Sequence, residues 1–259
     1  MTLPSVPQSA EDTTPSSAAP ASNGVPAKRN KPGRMMPAAG QMHLVTKIGH
    51  QMWEGRRASG HGDDSVHSIV GAMLFAKNCS EIWRASMAND PYADNALIEI
   101  ELAWQDADKA IETQLASLTE LIDTGMPGIT LSPVESSEPL VVDLSFHNPW
   151  GYRGAALVKK FDDLALKALT AKSVGLMFDG DWQSSVFRTG TRIRRTFDMS
   201  RLWVHTGVKR DDVKANNEIA RRAIEFYTQK HKDKMLAIDE RVLSGELRAT
   251  LSPHITTGG

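Results

Sequence analysis

The chain has 259 residues, 30 Lys and Arg against 31 Asp and Glu, a formal net charge of −1 and 41% hydrophobic residues. That is the composition of a globular protein with apolar material for a sizeable core. A single cysteine, Cys79, excludes an internal disulfide framework and a cysteine-based zinc site, and the lack of any run of about 18 apolar residues excludes a membrane span, so a reducing cytoplasm is expected.

Residues 1–39 are rich in Ser, Ala, Pro and Thr, with too few large apolar side chains to offset the entropy of ordering them. A disordered tail is expected, ending in a basic arm from Lys28 to Arg34 that suits a DNA backbone or serves only solubility. In residues 41–45, Met42 and Leu44 alternate with Gln41, His43 and Val45, as in a short strand. Thr46 then caps a helix carrying Ile48, Met52 and Trp53 to about Arg57. Residues 59–64 break it, and Ser65 is placed to cap a second helix with Ile69, Val70, Met73, Leu74, Ile82 and Trp83.

Asp90-Pro91 opens a long helix with Leu97, Ile100, Trp104, Ala107, Ile111, Leu115, Leu118 and Ile122 on one side and acids on the other. Residues 126–139 hold four Gly and Pro punctuators, Pro127, Gly128, Pro133 and Pro139, and read as a loop dividing a 40–125 region from a 140–259 region. A second strand is predicted at residues 140–146, stopped by Asn148-Pro149. The next helix bears Leu157, Phe161, Leu164 and Ala168, and Asp179-Gly180-Asp181 starts another with Val186, Ile193 and Phe197. Asp211-Asp212 begins a final helix through Val213, Ile219, Ala223 and Tyr227, with Lys230, Lys232 and Lys234 toward an end whose dipole favours cations. The fold class expected is mainly α with a few short β-strands.

Charge is segregated along this order. Lys28, Arg29, Lys31, Arg34, Lys47, Arg56 and Arg57 face only Glu54 in residues 28–57, whereas residues 90–123 hold nine acids against Lys109. Residues 184–210 are basic again, with Arg188, Arg192, Arg194, Arg195, Arg201, Lys209 and Arg210 against Asp198. Two arrangements produce this pattern: a positive face presented to a polyanion, or basic and acidic helices that pair with each other.

No phosphate-binding loop, dinucleotide fingerprint, nucleophile elbow or paired-histidine zinc helix occurs, so neither a catalytic residue nor a cofactor is assigned. His61, Asp63 and Asp64, with His67 nearby, form the closest approach to a metal or nuclease cluster, but a polar loop explains them equally. Trp53, Trp83 and Trp104 fall on apolar faces and read as core. Nucleic-acid recognition fits better. A short strand before two helices is the ribbon-helix-helix pattern, in which two chains pair their strands and lay the ribbon in a major groove. Gln41 and His43 then point at bases, with phosphate contacts from Arg34, Lys47, Arg56, Arg192, Arg194 and Arg195 and from the start of the second helix near Asp64 and Ser65. Residues 140–146 are an alternative ribbon, though Asp143 there would repel phosphates. The partners expected are double-stranded DNA and a second copy of the chain. A scaffold docking through the acidic helix is the rival reading.

Trp53-Glu54-Gly55-Arg56, Asp90-Pro91-Tyr92-Ala93-Asp94, Pro149-Trp150-Gly151-Tyr152-Arg153, Gly207-Val208-Lys209-Arg210 and Leu243-Ser244-Gly245 resemble, in this order, the AcaB-like regulators of conjugative plasmids and integrative conjugative elements. The resemblance covers residues 40–255. It implies a ribbon-helix-helix-like core and an activator that binds promoter DNA to raise expression of conjugative-transfer genes, with RNA polymerase as a further contact.

Overall fold

The computed structural model describes residues 40–59, 66–134, 138–230 and 238–255. In chain order the elements are β1 (Gly40–Leu44), α1 (Lys47–Glu54), β2 (Gly55–Arg56), β3 (Ile69–Val70), α2 (Ala72–Met87), α3 (Pro91–Gly125), β4 (Leu140–Leu144), α4 (Pro149–Ser173), α5 (Asp179–Met199), α6 (Arg210–Ala215), α7 (Glu218–Lys230) and α8 (Glu240–Ser244). The architecture is mainly helical with short strands, and no described helix is long and apolar enough to cross a membrane.

The helices start where the sequence supplies acceptors for their first free N–H groups. Thr46 caps α1 through its hydroxyl to Gly49 N, Asp90 caps α3 by accepting from Tyr92 N and Ala93 N, and Asn148 caps α4 by accepting from Gly151 N. Pro91 and Pro149 occupy the first turns of α3 and α4, where a missing N–H does no harm. Asp179 and Asp181 sit in the first turn of α5 and complement its dipole.

The apolar stripes of α2, α3, α4 and α5 close on one another to form the main core, with Phe75, Ile82, Leu97, Ile100, Ile111, Trp150, Leu157, Phe161, Leu164, Ile193 and Phe197 all fully buried. Met42, Leu44, Met52 and Trp53 fill one flank of it from β1 and α1. A smaller cluster seats α7 beside the start of α3, where Tyr227 stacks on Tyr92 with ring centroids 4.2 Å apart.

Two segments depart from the sequence reading. The second helix begins at Ala72 and not near Ser65, because the chain after α1 turns back as a small hairpin, with Gly55 opposite Val70 and Arg56 opposite Ile69. Gly55 ends α1 with φ +73°, a left-handed conformation that glycine adopts freely. The cap of α2, Gly71, is packed against the backbone of Trp53, Glu54 and Gly55. That N-terminus is therefore covered by protein and is not open to a phosphate; Asp64 and Ser65 themselves lie outside the described residues. The predicted final helix is two helices, α6 and α7, because Asn216 adopts φ 48° and ends the first of them.

Candidate nucleic-acid interface

The two strands offered as alternative ribbons are the two strands of one ribbon. β1 and β4 pair antiparallel within the chain, Gly40 opposite Leu144, Gln41 opposite Asp143, Met42 opposite Val142, His43 opposite Val141 and Leu44 opposite Leu140. Pairing therefore gives β1 a partner in its own chain along one edge. The alternation read from the sequence holds: Met42 and Leu44 point into the core, while Gln41, His43, Val141 and Asp143 form the exposed face. On that face Gln41 Nε2 donates to Asp143 Oδ1 at 3.0 Å. A paired contact from Gln41 to adenine has first to give up this bond, which at an exposed site is a net loss of about 1 kcal/mol.

The ribbon is fixed to the helices by a buried carboxylate. Asp162 of α4 accepts from Val45 N and Thr46 N at 2.8 Å each and from the Thr46 hydroxyl at 2.6 Å. Gly49 leaves the space that this carboxylate occupies, since a Cβ there would collide with it. The strand-to-helix corner is thus held from outside its own segment, which gives Lys47, at the first position of α1, a fixed place relative to the ribbon.

The basic residues of α5 divide by helix geometry. At 100° per residue, Arg192 and Arg194 lie about 200° apart around the axis. Arg192 faces α3 and pairs with Asp106. Arg194 turns toward α1: its guanidinium is held below the ordinary value first by partial burial and then by the nearby charge of Arg56. Arg56 in turn donates to the carbonyl of His67 across the hairpin, at 3.1 Å from its terminal nitrogen. Arg201, a residue sequence reasoning did not single out for the interface, reaches Ser68 Oγ at 2.8 Å on the same hairpin. Arg56, Arg194 and Arg201 are therefore gathered around β2 and β3. Arg195 is exposed beside a cleft with Glu99 and Asp106 and makes no ion pair among the described residues. Arg34 lies outside the described residues.

Both arrangements of charge suggested by the sequence are present. The acids of α3 are largely consumed inside the fold: Asp108 and Glu112 hold Lys160, Asp106 holds Arg192, and buried Glu101 accepts from Thr250 N. Asp94, fully buried, receives Arg210 at 2.5 Å and Arg248 at 3.0 Å, with the Ser86 hydroxyl as a further donor. Glu120 and Asp123, toward the end of the acidic helix, stay exposed. Among the described residues no group of His, Cys, Asp and Glu is placed to hold a metal, and His61, Asp63 and Asp64 lie outside them.

A mainly helical molecule with a surface ribbon and a cluster of arginines, of which Arg201 alone has a carboxylate, Asp198 at 3.8 Å, belongs, by the comparisons, to the class of transcriptional regulators. The family model described as "Transcriptional regulator AcaB" matches residues 31–256, and the chain belongs to that family. The same fold occurs in the crystal structure of selenomethionine-containing AcaB from uropathogenic E. coli, with 9% sequence identity and a TM-score of 0.52, over 84% of this chain and 100% of that one. No curated protein matches the sequence.

The motifs that carry the family resemblance are joints of this fold. Asp90 caps α3 and accepts from Trp203 Nε1, Tyr92 stacks on Tyr227, and Asp94 takes Arg210. Gly245 lies against that same arginine, whose guanidinium also donates to Val242 O and Asn89 Oδ1. Trp150 is fully buried and donates to Leu251 O, and Arg153 lies over the rings of Trp104 and Trp150 at 4.5 and 5.2 Å.

Proposed function

We propose that this regulator binds promoter DNA in a sequence-specific manner as a homodimer and activates conjugative-transfer genes, with RNA polymerase as a further partner at the promoter. The observation that carries the proposal is the gathering of Arg56, Arg194 and Arg201 around the β2–β3 hairpin, at the far end of the helix that leaves the ribbon. Arg56 and Arg194 have no ion pair among the described residues and Arg201 has only the exposed Asp198 at 3.8 Å, so the like charge gathered here is unfavourable in the free protein and is relieved by a polyanion. A two-stranded ribbon matches the major groove in width, and here a single chain supplies both strands, so a dimer would place two ribbons on two half-sites. Base contacts fall to His43 and Gln41, with Asp143 setting the Gln41 amide, and phosphate contacts fall to Lys47, Arg56 and Arg194, and to Arg34 of the arm. Arg195 adds to the positive field, and Arg192 mainly joins α5 to α3.

The test is selection of bound fragments from a random DNA pool, followed by titration of the enriched site and of random DNA across a range of salt. Enrichment of a sequence with dyad symmetry is expected. Arg56→Ala and Arg194→Ala should each weaken both DNAs and flatten the log–log salt dependence by about one unit, whereas Arg192→Ala should leave the slope unchanged. His43→Ala should narrow the gap between selected and random DNA. No enrichment and no shift at moderate salt would overturn the proposal.

A further inference from the structure

Between α1 and the first half of α5 lies an open cleft of about 520 Å³ whose walls are mainly Ile48, Phe161, Trp182, Val186 and Phe187, with Gln183 and Ser184 at its edge and Arg194 the only charged residue lining it among the described residues. Its size lies in the range of small-molecule sites, and its lining is apolar with one cation, the usual makeup of a pocket that orients a ligand by a single charged group. The cleft is a product of small packing choices. Gly190 lets Phe161 and Met52 come close to α5 one turn below, while nothing of comparable bulk fills the space beside Gly180. Phe187, which flanks it, is 66% exposed, an unusual state for a phenylalanine beside a concave surface and one that a bound apolar group would relieve.

Arg194 is what makes the cleft specific. It makes no hydrogen bond or ion pair among the described residues; it lies over the face of Phe187, 5.8 Å from the ring centroid, is partly buried, and feels the repulsive charge of Arg56. Lys172, near Trp182 at 5.7 Å from its ring, is by contrast already paired with Asp179. A half-buried guanidinium without a carboxylate, at the edge of an aromatic wall, matches an anion attached to an apolar body.

We infer that the α1–α5 cleft binds an amphipathic organic anion, an aryl or acyl carboxylate, which sets its carboxylate on Arg194 and its apolar body between Ile48, Trp182 and Phe187. The ligand and a DNA phosphate compete for Arg194, so occupancy weakens DNA binding; this second statement rests on the function proposed above.

The cleft is tested first without DNA, using 1-anilinonaphthalene-8-sulfonate and its uncharged relative N-phenyl-1-naphthylamine as probes, with decanoate as a competitor. Both probes should bind and take energy from Trp182, and the transfer should drop in Trp182→Phe. Arg194→Met keeps the apolar stem and should weaken the sulfonate probe about tenfold, or about 1.4 kcal/mol, while leaving the neutral one unchanged. Arg195→Met should change neither, and Ser184→Trp, which fills the cleft from an exposed position, should abolish both. Equal loss of the two probes in Arg194→Met, or binding that survives Ser184→Trp, would overturn the site. Decanoate should then lower the affinity for selected DNA in the native protein and not in Arg194→Met. A cleft that binds the probes with no effect on DNA refutes the competition alone, and a protein that binds probes but no DNA refutes the function proposed above and not the cleft.

Discussion

At the scale of single residues, the strongest dependence falls on Asp94. It is fully buried and shared by Arg210, itself buried, and by Arg248, so one carboxylate offsets two cations drawn from the C-terminal part of the chain. Asp94→Ala leaves those guanidiniums buried without a counter-charge and is expected to lower stability by about 3–5 kcal/mol, read as the midpoint of denaturant unfolding. Arg192→Ala, which breaks the exposed pair with Asp106, should change it by less than about 1 kcal/mol. Asp90 makes a different prediction. Burial pushes its carboxyl up from 3.8 to about 6, against hydrogen bonds from Ala93 N, Trp203 Nε1 and Tyr92 N and the charge of His205 that favour the ionised form. The folded state thus holds this proton more tightly than the unfolded state. The associated stability, roughly 3 kcal/mol, is fully present below about pH 4 and is lost as pH rises through about 6. Asp90→Asn keeps a capping oxygen and cannot ionise. Its melting temperature should gain on that of the native protein as pH is raised from 4 to 7 and run parallel to it above; a constant difference across the range would refute the assignment. Neither acid was legible as a buried group from sequence, because both sat in a run of acids, although their spacing of three and seven residues from Leu97 puts them on the side of the apolar stripe.

At the scale of elements, what the sequence displayed clearly was length and period. α3, α4 and α5 each carry several turns of apolar residues at three- and four-residue spacing, and all three begin close to the expected positions. β1 was readable from five alternating residues because Thr46 marks its end. The β2–β3 hairpin was not, since two-residue strands have no period and their pairing is imposed by Gly55 and by the backbone packed on Gly71. The arginines of α5 misled in the opposite direction. Arg192, Arg194 and Arg195 are adjacent in sequence, yet rotation about the helix sends them to different neighbours, so a charge run along a chain is not a patch on a surface. The least visible feature was the corner between β1 and α1, which depends on Asp162 more than a hundred residues away. Gly49→Ala pushes a methyl group into that carboxylate and is expected to lower stability by about 1–3 kcal/mol, measured by chemical denaturation. The same change at exposed Gly180, where a Cβ meets open space, should be far milder.

At the scale of the whole molecule, positive charge that the sequence spreads over two distant segments is sorted by the fold into pairs with α3 and a cluster around the hairpin. The exposed face of the ribbon carries an acid, Asp143, one pair from the end of the ladder. Asp143→Asn should raise affinity for random DNA severalfold by removing a carboxylate from a surface that approaches a polyanion, and should free the Gln41 amide at the same time. A titration in which selected and random DNA are both unaffected would place the ribbon outside the contact. The pairing of Gly40 with Leu144 has one more consequence, and it concerns synthesis. While the ribosome is still short of β4, β1 has left the exit tunnel without a strand to bond to, and closing so long a loop is slow. The first turn of α3 waits longer still, since Arg248 is translated 154 residues after Asp94. Nascent chains from which β4 has not yet emerged therefore have no ribbon to present.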